Sequence, residues 1–116
     1  MKKIYFLKTC DTCKRILNDV NISGFTLQEI KSNPITEKQL EEMYKLSNSY
    51  EALFNKRARL YKSLDLKTKS LIEEDYKNYL LSEYTFLKRP VFIMDNEIFI
   101  GNSKKVIEQV KEKTNS

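Results

Sequence analysis

Residues 4–17, IYFLKTCDTCKRIL, join an apolar run to a pair of cysteines and then to a segment of helical character. The run at residues 4–7 predicts a β-strand, and residues 14–17 predict the start of an α-helix. Cys10 and Cys13, the two cysteines of the chain, lie between them. A Cys-x-x-Cys pair where a strand leads into a helix is typical of a dithiol redox site, because the free amides and the dipole of a helix start stabilise the reactive thiolate.

The rest of the chain predicts two sheet-forming halves with a block of helices between them. The predicted elements are strands at 2–7, 25–28, 91–94 and 98–100, and helices at 11–20, 36–46, 71–83 and from about 104 onward. Thr36 and Gln39 have the spacing of a capping box at the start of the second helix. This order predicts an α/β domain over residues 1–116 with a mixed sheet (β-α-β … β-β-α), the thioredoxin-like fold, with a helical insertion at about 36–83.

Side-chain spacing predicts the buried faces of these elements. The inward stripe of the first helix is expected to be Ile16, Leu17 and Val20. In the second strand, Phe25 and Leu27 alternate with Thr26 and Gln28 and are expected to face inward. In the helix at 71–83, apolar residues at helical spacing are expected in the core, namely Ile72, Tyr76, Tyr79 and Leu80.

Composition and charge limit the classes of function and of partner that we expect. The 116 residues carry a net charge of +5, and lysines and glutamates alternate as on solvated helix faces. No dense basic cluster with interleaved aromatics is present, so direct nucleic-acid binding is not expected, whereas the mild positive bias suits an anionic substrate or an acidic partner. No stretch approaches the roughly 20 apolar residues of a membrane span, and Lys8 ends the first apolar run too early for a signal peptide. The sequence predicts a cytoplasmic protein with a reversible redox pair.

The dithiol predicts a division of roles. Cys10, at the helix start, is expected to be the exposed nucleophile, and Cys13 is expected to resolve the intermediate. Lys14 and Arg15 add positive charge nearby, and Asp11 removes some. The chain has no histidine, which excludes a Cys–His hydrolase. The alternative is half of a zinc site, but a closed site would need a second chain or several carboxylates, so no metal is expected.

Three further positions have open interpretations. Pro90 begins the third strand, where its missing amide is harmless, and the Arg89–Pro90 bond taken alone is expected to be trans. A functional interpretation is a cis bond packed against the cysteines. Arg57 and Arg59 are either solvated or form a guanidinium fork for an oxyanion near the helix start.

The chain resembles the arsenate reductase/Spx family of glutaredoxin-related proteins over nearly its whole length. The resemblance rests on four groups of residues in order: Ile4-Tyr5 with Cys10-Asp11-Thr12-Cys13-Lys14, Asn55-Lys56-Arg57, Leu87-Lys88-Arg89-Pro90-Val91, and Ile100-Gly101. It implies a bacterial protein with the thioredoxin-like fold, its helical insertion and a cis Pro90.

The resemblance also implies an activity. Arsenate reductases of this family attack arsenate with the cysteine that matches Cys10, and bind the oxyanion with arginines that match Arg57 and Arg89. Lys14 is a further candidate ligand. No cofactor is expected to be bound, and the reductant is expected to be glutathione, glutaredoxin or thioredoxin. Because Cys13 often matches a serine in those enzymes, a Cys10–Cys13 disulfide recycled by a thioredoxin-like donor becomes possible here.

The sequence differs from the arsenate reductases of this family at one position, and this difference keeps a second function open. Asn102 stands where those enzymes carry a third arginine, which weakens arsenate as the substrate. Spx-like proteins use the same dithiol as an oxidation switch and bind the C-terminal domain of the RNA polymerase alpha subunit. The sequence favours a monomeric enzyme over such a regulator, and either over a scaffold with incidental cysteines.

Overall fold

The computed structural model, which describes residues 1–115, contains a mixed four-stranded sheet. The strands lie in the order β2-β1-β3-β4. Strand β1 pairs parallel with β2 and antiparallel with β3, and β3 pairs antiparallel with β4. The strands are β1 Lys2–Phe6, β2 Thr26–Glu29, β3 Val91–Met94 and β4 Glu97–Ile100. The predicted α/β fold with a mixed sheet is confirmed.

Five α-helices accompany the sheet within residues 1–115. They are α1 Asp11–Asp19, α2 Glu37–Ser47, α3 Arg59–Ser63, α4 Glu73–Ser82 and α5 Lys104–Thr114. Short 3-10 turns lie at Glu51–Leu53, Leu66–Thr68 and Tyr84–Phe86. No helix of the described residues has the length and apolar character that a membrane crossing requires.

The chain divides into two compact units. The first contains residues 1–34 together with the chain from Arg89 onward, and the second contains residues 35–88. The first unit therefore holds the sheet, α1 and α5, and the second holds α2, α3 and α4. The single domain predicted over residues 1–116 stays a prediction.

The core of the first unit lies between one face of the sheet and the apolar sides of α1 and α5. Its buried members are Ile4, Ile16, Val20, Phe92, Met94 and Val110. Leu17 and Phe25 are half-buried against it. The predicted inward stripe of α1 is thus confirmed, and the core fixes the helix that carries the cysteines onto β1 and β3.

The alternation predicted for β2 is wrong at two positions. Phe25 packs edge-on against Phe92 at 6.3 Å between ring centroids, as a core residue should. Leu27, however, is 43% exposed, and Gln28 is only 5% exposed. Leu27 pairs with the core residue Ile4 but is exposed because β2 is an edge strand, with a neighbouring strand on one side only. The side chain of Gln28 can be buried because its NH2 group donates to the Asn33 carbonyl at 2.9 Å.

The second unit is built around an aromatic cluster. The Phe54 ring contacts the rings of Tyr61, Tyr76, Tyr79 and Phe86. Tyr76 and Leu80 of α4 are buried as predicted. Ile72 is 65% exposed, which corrects the prediction, because it precedes the first turn of α4 and its amide donates to the Asp75 carboxylate at 2.9 Å.

The capping box predicted at Thr36 and Gln39 is confirmed. The Thr36 hydroxyl accepts from the Gln39 amide at 3.1 Å, and the Gln39 side chain accepts from the Thr36 amide at 3.1 Å. Two backbone donors that the helix itself leaves unpaired are thereby satisfied at the start of α2.

We expect Thr36→Ala to lower the free energy of unfolding by about 1 kcal/mol, because it removes the side-chain acceptor of this cap. Urea denaturation followed by circular dichroism measures the change. Thr36→Ser keeps a hydroxyl acceptor and should stay close to wild type. Equal losses in both variants would contradict the capping contribution.

Candidate functional site

The pairing of β1 with β3 brings two distant segments to the same edge of the sheet. Tyr5 lies opposite Val91, so the C-terminal end of β1 meets the beginning of β3. The turn that follows β1 leads to Cys10, and the residues that precede β3 are Arg89 and Pro90. An antiparallel register thus places the dithiol beside residues almost eighty positions later in the chain.

Cys10 is the residue from which α1 starts. Its backbone is extended, at φ −93° and ψ 111°, and its carbonyl accepts from the Lys14 amide at 3.1 Å, as the residue before a helix should. Cys10 is half-exposed, whereas Cys13, one turn into the helix, is 0% exposed. Both are free thiols. An external substrate can therefore reach the Cys10 sulfur but not that of Cys13.

The surroundings of Cys10 favour its thiolate. Partial burial by itself raises the pKa of Cys10, and the hydrogen bonds from the Cys13 amide and thiol oppose this rise. The charge of Arg89 and a hydrogen bond from its guanidinium act in the same direction. The net result is a pKa below the ordinary value of the thiol, and the thiolate is the nucleophilic form of cysteine.

The surroundings of Cys13 have the opposite effect. Burial, the hydrogen bond to Cys10 and the negative charge on Cys10 together raise the pKa of Cys13 to about 12. The backbone amide of Leu7 and the charge of Arg89 oppose this rise without cancelling it. Cys13 therefore stays protonated at neutral pH and donates to its neighbour, so the two thiols differ sharply in reactivity.

The Arg89–Pro90 peptide bond is cis. The sequence taken alone favoured trans, and the structure corrects that expectation, whereas the resemblance implied the cis form that is observed. Pro90 is buried, and its carbonyl accepts from the Gly101 amide at 2.9 Å. Arg89 is half-exposed, and its guanidinium lies within hydrogen-bonding reach of the Cys10 sulfur.

The other residues considered for oxyanion binding are exposed. Lys14 is exposed on α1, and Asn102 is exposed between Gly101 and the start of α5. Arg57 belongs to the second unit, where it is exposed shortly before α3 and its amide donates to the Asn55 side chain at 3.0 Å. The oxyanion-binding roles of Lys14 and Arg57 stay predictions.

Two backbone amides contribute to the site: the Cys13 amide belongs to the free amides expected at the helix start, whereas the Leu7 amide was not expected from the sequence. The Leu7 amide approaches the Cys13 sulfur, and the Cys13 amide approaches the Cys10 sulfur. The strand-to-helix junction leaves the amides of the first helical turn without helical partners, which is why the Cys13 amide can reach the Cys10 sulfur. Within residues 1–115, no group of three or more His, Cys, Asp or Glu side chains could hold a metal ion.

A mixed sheet with a dithiol at a helix start and a cis-proline before the neighbouring strand defines a thioredoxin-like protein. The ArsC family model matches residues 5–110, so the chain belongs to the ArsC family. The resemblance described from the sequence is thereby confirmed.

Individual relatives agree with this assignment. An uncharacterized protein of Haemophilus influenzae is 26% identical over 113 residues, which cover 90% of this chain and 94% of that protein. The global transcriptional regulator Spx 1 of Bacillus cereus is 20% identical over 98% of this chain and 89% of its own length. The arsenate reductase of Vibrio cholerae superposes with a TM-score of 0.73 at 20% identity, covering 96% of this chain and 95% of its own, which shows a shared fold.

We expect Arg89→Gln to slow alkylation of the reduced protein by iodoacetamide near pH 7 between about twofold and tenfold. Loss of the guanidinium raises the pKa of Cys10, so the midpoint of the pH–rate profile moves upward. The reaction reports on Cys10, because Cys13 is buried and has a pKa of about 12.

The matched control is Arg15→Gln, which removes the same charge from an exposed position on α1. Its midpoint should stay with that of the wild type. If the two variants shift the profile equally, general charge rather than the contact of Arg89 with Cys10 sets the thiol reactivity.

Proposed function

We propose that this protein is a thiol-dependent oxidoreductase of the arsenate reductase kind, with Cys10 as the nucleophile. The observation that carries the proposal is the Arg89 guanidinium beside the Cys10 sulfur at the start of α1. A thiolate and an anionic substrate both need positive charge, and the guanidinium together with the helix start supplies it in one place. Membership of the ArsC family supports the same chemistry.

The proposed reaction starts with the thiolate. The Cys10 sulfur attacks arsenic, an As–S bond forms, and an oxygen of arsenate leaves as water after protonation. A second thiol then attacks the Cys10 sulfur, the As–S bond breaks, and its electron pair stays on arsenic, which is reduced from As(V) to As(III). The product is a disulfide, and a dithiol donor returns it to two thiols.

Cys13 is the candidate second thiol. Once Cys10 carries an adduct, the thiolate charge that raises the pKa of Cys13 is gone, so loss of the Cys13 proton becomes easier. An internal disulfide would be recycled by thioredoxin, whereas a mixed disulfide with glutathione would be recycled by glutaredoxin. Arg57 and Lys14 are proposed as further oxyanion ligands. We place the protein in the cytoplasm, because reduction of its disulfide by a thiol donor suits a reducing compartment. The proposal also takes the protein to be a monomer.

We expect Cys10→Ser to abolish arsenate reduction, since a hydroxyl is not ionised at neutral pH. Cys13→Ser should lose the thioredoxin-coupled reaction and keep the glutathione-and-glutaredoxin-coupled one. NADPH-coupled assays with each donor measure both rates. Wild-type activity no greater than that of Cys10→Ser would remove arsenate reduction from consideration.

A redox-switched transcriptional regulator is the second candidate. It is favoured by the match to Spx 1 over 98% of this chain and by Asn102, which replaces the third arginine of the arsenate reductases. If this function holds, the reduced and oxidised proteins should differ in binding to the C-terminal domain of the RNA polymerase alpha subunit. A pull-down in both redox states tests this, and no binding in either state would rule it out.

A further inference from the structure

The Glu29 carboxylate joins the end of β2 to the segment that presents Cys10. One oxygen, Oε2, accepts from the Lys8 amide at 2.9 Å. The other, Oε1, accepts from the Lys31 amide at 3.1 Å and from the amide and hydroxyl of Ser32, each at 2.8 Å. The carboxylate thus closes its own turn with one oxygen and holds a separate loop with the other.

The loop that it holds is the turn before the dithiol. The Cys10 amide donates to the Leu7 carbonyl at 3.1 Å, so residues 7–10 form a tight turn with Lys8 at its second position. The amide of Leu7, the first residue of this turn, also approaches the Cys13 sulfur. A shift of this turn would therefore displace Cys10 and a donor to Cys13 together.

We propose that Glu29 is a positioning residue for the dithiol, acting through the Lys8 amide on the turn that carries Cys10. The inference rests on the proposed role of Cys10 as the nucleophile. Lys8 is exposed, so water could replace the carboxylate as a hydrogen-bond partner at small cost in stability. What the carboxylate adds is a fixed position for the turn, because its other oxygen is held by three donors.

The ionisation of Glu29 is consistent with this role. Desolvation raises the pKa of its carboxyl, but the hydrogen bonds from Lys8, Ser32 and Lys31 outweigh it and hold the pKa below the usual value. Glu29 is therefore charged at neutral pH. Its charge alone would disfavour a thiolate nearby, whereas its anchoring of the turn favours one. The two effects have opposite signs, so an experiment can separate them.

The test is Glu29→Gln, assayed by the pH dependence of iodoacetamide alkylation of the reduced protein without substrate. A glutamine has one acceptor oxygen, which can serve Lys31 and Ser32 while its NH2 group faces the Lys8 amide, donor against donor. We expect the midpoint to move upward and the rate near pH 7 to fall about threefold. An unchanged midpoint, or a downward shift as removal of charge alone would give, overturns the proposal.

Ser32→Ala is the matched control. It removes one donor from Oε1 and leaves the bond to Lys8, so its midpoint should equal that of the wild type. A shift as large as that of Glu29→Gln would mean that the turn after β2, and not its connection to Lys8, controls the thiol, which also overturns the proposal.

Lys8→Pro gives a second test, made from the Lys8 side of the same hydrogen bond. Proline has no amide hydrogen and is favoured at the second position of such a turn, so it removes the donor and presets the backbone at once. We expect a midpoint close to wild type for Lys8→Pro, and no further shift when Glu29→Gln is added. An undiminished Glu29→Gln effect in that background overturns the proposal. Because no arsenate is present, failure of this inference is distinct from failure of the proposed reductase activity.

Discussion

The antiparallel pairing of β1 with β3 is the constraint on which the site depends. It places the turn after β1 next to Arg89 and the cis-Pro90, and so gives the Cys10 sulfur a guanidinium partner from the far end of the chain. The core formed by Ile4, Phe92 and residues of α1 and α5 holds that register, because a slip of one residue would turn these side chains to the opposite face. The chemistry of the dithiol therefore rests on the packing of an apolar sheet face.

The two thiols are chemically different because their surroundings differ. Cys10 is half-exposed and receives hydrogen bonds from Cys13 and Arg89, which favour its thiolate. Cys13 is fully buried, and burial next to that thiolate raises its pKa to about 12. One sulfur is thus ready to attack, and the other keeps its proton until the charge on the first is lost. Such an ordered pair suits both a reductase and an oxidation switch, and the proposed reductase rests on the Arg89 guanidinium beside the Cys10 sulfur.

Local patterns predicted much of the fold correctly. The capping box at Thr36 and the inward stripe of α1 were identified because each depends on residues within about two helical turns. The burial of Leu27 was predicted wrongly because the pattern could not show that β2 lies at the sheet edge, where Leu27 stays exposed although it pairs with the core residue Ile4. The cis Arg89–Pro90 bond followed from resemblance to a family, and from no property of the two residues themselves.

The sequence by itself determined the dithiol at a helix start, the order of the strands and helices along the chain, and the absence of histidine chemistry, since these need only neighbouring residues or composition. The tertiary structure alone decided that Arg89 meets Cys10, that Cys13 is buried, and that the Glu29 carboxylate reaches the Lys8 amide. The physical reason is that these contacts join segments whose separation in the chain is closed only by strand register and core packing.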